Sequence, residues 1–131
     1  MIFGVGIDII EIERIAASYA RFGERFAHRI LGKREYERFQ ARRARSNVRG
    51  LAFLSTRFAA KEAVAKALGL GMRSPMRWHA VEILNDPTGR PFATVHAELK
   101  RFVERHRLRL HVSLTDAQQT AAAYAIAEVI E

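Results

Sequence analysis

Apolar and polar residues alternate at the start of the chain. Phe3, Val5, Ile7 and Ile9 share one face, and Gly4, Gly6 and Asp8 the other, the period of two that marks a β-strand. The period then lengthens. Ile12, Ile15, Ala16 and Tyr19 form one helical stripe, and Arg14, Ser18, Arg21 and Arg25, at i, i+4, i+7 and i+11, a separate one. Gly23 is a point at which that helix can break. A highly charged helix is predicted over about Lys33 to Arg45. The longest helical signal runs from about Val48 to Leu68, with Leu51, Leu54, Phe58 and Ala65 turned inward and Gly69 with Gly71 ending it. Ser74–Pro75 reads as a loop, Trp78 to Leu84 as a strand, Asn85 to Gly89 as a turn and Phe92 to Val95 as the return strand. Ala97 to His106 reads as a short helix packed through Leu99, Phe102 and Val103.

Leu108 to Thr115 alternates cleanly: Leu108, Leu110, Val112 and Leu114 on one face, Arg109, His111, Ser113 and Thr115 on the other. Residues 120–130 are rich in alanine, which favours helix. The short link from Asp116 to Gln119 and the period-two spacing of Tyr124, Ile126 and Ile130 nevertheless predict a hairpin partner. The sum is an α+β fold: helices packed against a small, mostly antiparallel sheet. There is no repeat, low-complexity tract or long linker, so residues 1–131 read as one domain.

Composition narrows the chemistry. Apolar residues make up 49% of the chain, enough for a core, yet a domain of this size keeps much surface that other copies could cover. The absence of cysteine excludes disulfides, thiolate metal sites and a thiol nucleophile, and fits a reducing cytoplasm. The segment MIFGVGIDII lacks a basic leader and a small-residue cleavage site, so no signal peptide is expected. No apolar run approaches the roughly 20 residues needed to span a bilayer. Lys and Arg number 22 against 14 Asp and Glu, a net charge of +8 carried mostly by arginine. Such a surface attracts nucleic acid, anionic lipid, a phosphorylated ligand or an acidic protein, or simply keeps the protein soluble.

Three groups of residues carry candidate chemistry, each with a plainer alternative. Asp8 closes an apolar strand beside two glycines, leaving room for an ion or ligand; it also just precedes a helix, where it would serve as an N-cap. Glu62 and Lys66 stand at i and i+4 on the long helix, with Ser55 and Ala59 continuing their face. They suit close approach of a phosphate, or form a surface ion pair. His111, Ser113 and Thr115 offer phosphate donors, or a solvated sheet face. A serine-hydrolase site fits poorly without a G-x-S-x-G elbow, and a zinc site without H-E-x-x-H spacing. Gly4, Gly6, Gly69 and Gly71 match neither a Walker loop nor a dinucleotide fingerprint.

Taken together, four segments resemble the holo-[acyl-carrier-protein] synthases, the small bacterial 4′-phosphopantetheinyl transferases. They are Gly4 to Arg14, Arg57 to Gly69 with its KEAxxKALG core, Gly89-Arg90-Pro91, and His111-Val112-Ser113-Leu114-Thr115. They follow in order over nearly the whole chain; at Asp116, where a relative can carry His, no role is assigned. The resemblance implies transfer of the 4′-phosphopantetheine of coenzyme A to a serine of apo acyl carrier protein, in fatty acid biosynthesis. It implies Mg2+ held by Asp8 and Glu62, since magnesium takes one or two carboxylates plus substrate phosphates. Lys66 and Lys61 would supply charge at the phosphates, with Arg57, Gly89, Pro91, His111 and Ser113 also placed around coenzyme A. Glu62 itself, or a metal-bound water that it orients, would activate the serine. Arg14, Arg21 and Arg25, extended by Arg29, would receive the acidic carrier protein. A homotrimer with sites between subunits is implied as well, and neither a membrane nor a nucleic acid as partner. The competing reading is a basic nucleic-acid-binding module resting on the arginines from Arg38 to Arg49, although no helix-turn-helix, ribonucleoprotein motif or zinc finger is legible.

Overall fold

The computed structural model describes residues 1–131. Strand β1 (Ile2–Glu11) leads directly into helix α1 (Ile12–Phe22), and α2 (Glu24–Ile30) and α3 (Lys33–Arg45) follow. The long helix α4 (Asn47–Leu68) comes next, then a single 3-10 turn (Trp78–Ala80) and the hairpin β2 (Val81–Asn85) and β3 (Pro91–Val95). Helix α5 (Ala97–Arg105) and strands β4 (Leu108–Asp116) and β5 (Thr120–Val129) complete the chain. The main sheet is antiparallel in the order β1-β5-β4, and β2-β3 forms a second, two-stranded sheet. This is the α+β architecture that the alternation predicts. No helix is long and apolar enough to cross a membrane.

Helix α4 is the axis of the fold. Its residues are small or apolar nearly all round, the pattern of a helix buried on most sides. Fourteen of its 22 residues are buried, among them Leu54, Ala59, Ala63, Val64 and Ala67. The helix lies against the face of the sheet lined by Ala121, Ala123, Ala125 and Ala127, all 3% exposed or less. Gly4 and Gly6 complete that face for a steric reason. A Cβ on Gly4 would come within 2.0 Å of the Ala67 carbonyl oxygen, and one on Gly6 within 2.0 Å of that of Ala63. The absent side chains let β1 and α4 touch backbone to backbone. Ser46 caps the helix start by accepting from the Arg49 N–H. Gly69, with φ 74°, ends it in the left-handed conformation.

The large apolar residues of β1 therefore point the other way. Phe3, Val5, Ile7 and Ile9 are 41–66% exposed, and Tyr124 of β5 joins them on the outer sheet face. The alternation marks the strand but not its inner side: the close approach to α4 selects the small residues.

Two further expectations are corrected. Trp78 to Ala80 do not extend strand β2 but form the 3-10 turn, where the Trp78 carbonyl accepts from Lys61 Nζ at 2.7 Å. The arginine stripe is not continuous, because the chain turns at Gly23 (φ 62°, ψ −141°). Arg14 and Arg21 stand on α1, while Arg25 stands on α2.

Candidate active site

The contact between β1 and α4 gathers three charges. Lys66 Nζ donates to the Ile7 carbonyl at 2.9 Å and lies 3.3 Å from Asp8 Oδ1. Glu62, one turn back on the same helix face, feels both groups. Partial burial and then the neighbouring Asp8 charge push the Glu62 carboxyl up from its ordinary value, against the pull of Lys66. Two carboxylates and one ammonium thus converge at the edge of this contact; the room expected beside Gly4 and Gly6 is taken by the α4 backbone itself. The plainer alternatives are answered by the same geometry. Helix α1 begins at Ile12, after Glu11 and without a side-chain cap, so Asp8 is not its cap. Lys66 pairs with Asp8 rather than with Glu62.

A second feature is an open cleft of about 760 Å³ between the start of α4, the turn before β3 and the end of β4, a volume in the range of small-molecule sites. Arg42, Arg49, Arg57, Gly89, Pro91 and Asp116 line it. Arg57 is only 5% exposed. Its Nε donates to the Ile83 carbonyl at 3.0 Å, Nη1 to Thr56 Oγ1 at 3.3 Å and Nη2 to Asn85 Oδ1 at 2.6 Å. All three acceptors are neutral. Burial lowers the Arg57 guanidinium to about 10, the Glu35 charge opposing the shift and the Arg42 charge reinforcing it, so it remains charged at neutral pH. A cleft walled by three guanidinium groups against one carboxylate, Asp116, is suited to phosphates.

The two features stand at opposite edges of the sheet. Asp8 belongs to β1 and the cleft borders β4, with β5 between them. On α4, Arg57 and Glu62 are five residues apart, hence about 140° apart around the axis. One chain therefore presents the acid–base cluster and the basic cleft separately.

The other predicted residues divide as follows. Gly89 and Pro91 lie in the cleft beside Arg57. His111 and Ser113 lie on the outer face of the sheet, away from Asp8 and Glu62 of their own chain. His111 is 2.9 Å from Glu128 Oε1, a contact that holds the Glu128 carboxyl below its usual range. Arg14, Arg21 and Arg25 are exposed, with Arg21 5.0 Å from the centre of the Phe22 ring.

Lys61 is the correction. It is fully buried, and its three N–H bonds go to Glu35 Oε1 (2.6 Å) and the carbonyls of Ile30 (2.6 Å) and Trp78 (2.7 Å). Nothing is left for a phosphate. Lys61 is a core tie, and its buried partner Glu35 also accepts from the backbone N–H groups of Gly32 and Ile83.

Glu35, Arg42, Arg49 and Asn85 are absent from the sequence-derived set. Arg49, Phe53 and Arg57, at i, i+4 and i+8, share one helix face, a spacing that would have drawn the cleft side of α4. Glu35 carries no such signal, because its role depends on which residues meet it.

Comparison with known proteins adds independent findings. Residues 4–127 match the family model of the 4′-phosphopantetheinyl transferase superfamily. The chain is 50% identical over its full length to the holo-[acyl-carrier-protein] synthase of Methylibium petroleiphilum, covering 99% of that protein. It is 53% identical to that of Bordetella pertussis, over 97% of this chain and 83% of the relative. Among solved structures it is similar to the holo-[acyl-carrier-protein] synthase of Neisseria meningitidis, with 34% identity, a TM-score of 0.89 and coverage of 98% and 99% of the two chains. The synthase of Bacillus anthracis in complex with CoA (3′,5′-ADP) is 30% identical, with a TM-score of 0.82 over 99% of both chains.

Proposed function

We propose, from the premise that the chain belongs to the 4′-phosphopantetheinyl transferase superfamily, that it is a holo-[acyl-carrier-protein] synthase. It transfers the 4′-phosphopantetheine group of coenzyme A to a serine hydroxyl of apo acyl carrier protein and releases adenosine 3′,5′-bisphosphate. The observation that carries the mechanism is the convergence of Asp8, Glu62 and Lys66 where β1 meets α4.

The donor set fits a hard divalent cation. Two carboxylates offer oxygen ligands, and the Asp8 charge raises the cost of ionising Glu62, which a cation would relieve. Asp8 and Glu62 would hold Mg2+, which when bound supplies charge neutralisation at the pyrophosphate. Lys66 spends two donors on Ile7 and Asp8 and keeps a third for a phosphate oxygen. The serine oxygen forms a bond to the phosphorus bearing pantetheine, and the bond from that phosphorus to the bisphosphate oxygen breaks. The serine proton passes to a Glu62 carboxylate oxygen, which accepts no hydrogen bond from the protein and so keeps a lone pair for it. Positioning and charge dominate such a transfer. Arg57, with Gly89 and Pro91 beside it, binds the nucleotide end in the basic cleft.

The placement of cleft and cluster at opposite sheet edges supports a site completed between chains. So does the outer sheet face, where Phe3, Val5, Ile7, Ile9 and Tyr124 are exposed and form an apolar surface of the kind that subunits cover. A closed ring of three copies would bring the cleft, and the outward His111 and Ser113, of one chain to the Asp8 and Glu62 of the next. The arginines Arg14, Arg21 and Arg25 then receive the acidic carrier protein. With no cysteine to protect, such an enzyme suits the cytoplasm.

The deciding experiment incubates the protein with coenzyme A, Mg2+ and an apo carrier protein and measures the carrier's intact mass. The mass rises by one phosphopantetheine, and chelation of the metal stops the reaction. An unchanged carrier would overturn the reading, and a native mass equal to one chain would overturn the shared site.

A further inference from the structure

Two guanidinium groups share one buried ring. The Arg57 Cζ lies 4.0 Å from the centroid of Phe53, and the Arg42 Cζ lies 4.6 Å from the same centroid. Phe53 is 4% exposed and lines the basic cleft with both of them. Neither arginine takes part in an ion pair. Arg42 makes one long hydrogen bond, from Nη1 to the Arg38 carbonyl at 3.5 Å, and Arg57 reaches only neutral oxygens. Two like charges are therefore held side by side with no carboxylate in contact with either, the Glu35 charge acting on Arg57 only from a distance.

An aromatic face supplies what is missing. Its quadrupole attracts a cation without neutralising it and without competing for its N–H donors. A carboxylate in the same place would hold the arginines more strongly but would repel an incoming phosphate and occupy the donors that phosphate needs. A leucine would fill the space but leave the two charges to repel each other out of position. Helix spacing makes the arrangement specific. Phe53 and Arg57 are i and i+4 on α4, so the ring lies under the Arg57 stem, while Arg42 arrives from α3 across the helix pair.

Resting on the reading of the cleft as the seat of coenzyme A, we propose that Phe53 is a positioning residue for that substrate. Its ring holds Arg42 and Arg57 apart from each other and pre-oriented toward the phosphates. Arg42, which the family resemblance does not single out, is thereby a second phosphate contact. Phe53 acts on substrate only through these two side chains and takes no part in the transfer at Asp8 and Glu62.

The test replaces Phe53 by mono-, di- and trifluorophenylalanine, which keep the ring's shape and progressively remove its negative face. Calorimetric binding of coenzyme A is measured alongside KM for coenzyme A and for apo carrier protein. The dissociation constant and KM for coenzyme A should rise stepwise, to about tenfold for the trifluoro ring. kcat, KM for the carrier protein and the denaturation midpoint should stay near wild type. Phe53→Leu should raise the same two values but also lower the denaturation midpoint, because it leaves part of a buried site empty, whereas Phe53→Tyr, which keeps the aromatic face, should bind coenzyme A near the wild-type value. Should fluorination harm folding, a double-mutant cycle of Phe53→Leu with Arg42→Gln reports on the same contact: the two rises in the dissociation constant for coenzyme A should be less than additive, and full additivity would overturn the inference. Wild type that binds coenzyme A while the fluorinated series binds equally well would overturn this inference alone. Wild type that binds none would overturn the reading of the cleft and this inference with it.

Discussion

Lys61 and Glu62 are neighbours in sequence and opposite in environment. Lys61 points into the core, and with Glu35 it forms a pair in which every proton and nearly every lone pair is used: the ammonium meets three oxygens, and the carboxylate meets two backbone N–H groups as well as the lysine. This knot ties the end of α2, the start of α3, α4, β2 and the 3-10 turn together. Glu62, one residue on, turns to the β1 side. It faces a second carboxylate and a lysine half exposed to solvent, and its own oxygens have no protein donor. The difference teaches that charge alone does not mark a reactive group. A charge saturated by the protein stabilises, whereas one left under-coordinated beside a like charge is free to take a cation or a proton.

The largest effect tests the saturated pair. Lys61→Met should cost about 3–5 kcal/mol, because it leaves Glu35 charged, buried and short of a partner. Chemical denaturation reads this as a lowered midpoint. Adding Glu35→Leu to Lys61→Met should recover part of the loss, since a buried pair replaced by apolar groups is often near neutral. A Lys61→Met protein as stable as wild type would break the comparison.

The next test strikes Glu62, the proposed reactive member. Glu62→Gln should lower the transfer rate by roughly 10²–10³-fold, while the denaturation midpoint holds or rises slightly because a partly desolvated charge has been removed. The two substitutions thus separate stability from activity at adjacent positions. Transfer retained by Glu62→Gln would show that the reactive acid lies elsewhere.

The smallest effect is in pH linkage, and its sign follows from the direction of each shift. The folded Glu62 binds its proton more tightly than the unfolded chain does. Its stabilising contribution is fully present below the ordinary carboxyl value of 4.5 and is lost as pH rises through the higher folded value. Glu82 is the opposite case. Burial alone would raise it, but hydrogen bonds and charge from Arg34, with His96, hold it below 4.5. Its contribution is present above that value and is lost as pH falls through the lower folded one. Urea midpoints of wild type and Glu62→Gln should therefore converge as pH falls toward the ordinary carboxyl range and separate above it. Arg34→Ala should raise the Glu82 carboxyl and weaken the protein most on the neutral side. Parallel pH profiles for wild type and Glu62→Gln would sink the electrostatic account of the site.

Much of the fold is legible in one dimension because it rests on local periodicity. The alternation of β1 and β4, the span of α3 and α4, and the Gly69 stop all come from side-chain spacing and backbone preference. The alanine-rich end of the chain reads as a strand only because of the short connection before it, where intrinsic propensity argues for helix. Trp78 to Ala80 misleads because a lysine 17 residues earlier claims the Trp78 carbonyl, and local pattern carries no record of such a contact.

The chain's order of residues determined the family and most of the elements, and it brought forward Asp8, Glu62 and Lys66 as candidates, since motif spacing and periodicity are properties of neighbours along the backbone. Only the tertiary structure decided which face of β1 is inner, that Lys61 is a core tie, and that Arg42 and Arg57 share the Phe53 ring. The physical reason is that desolvation and charge coupling depend on distance in space. Residues 26 apart, such as Glu35 and Lys61, acquire their roles only once packing has brought them within 2.6 Å.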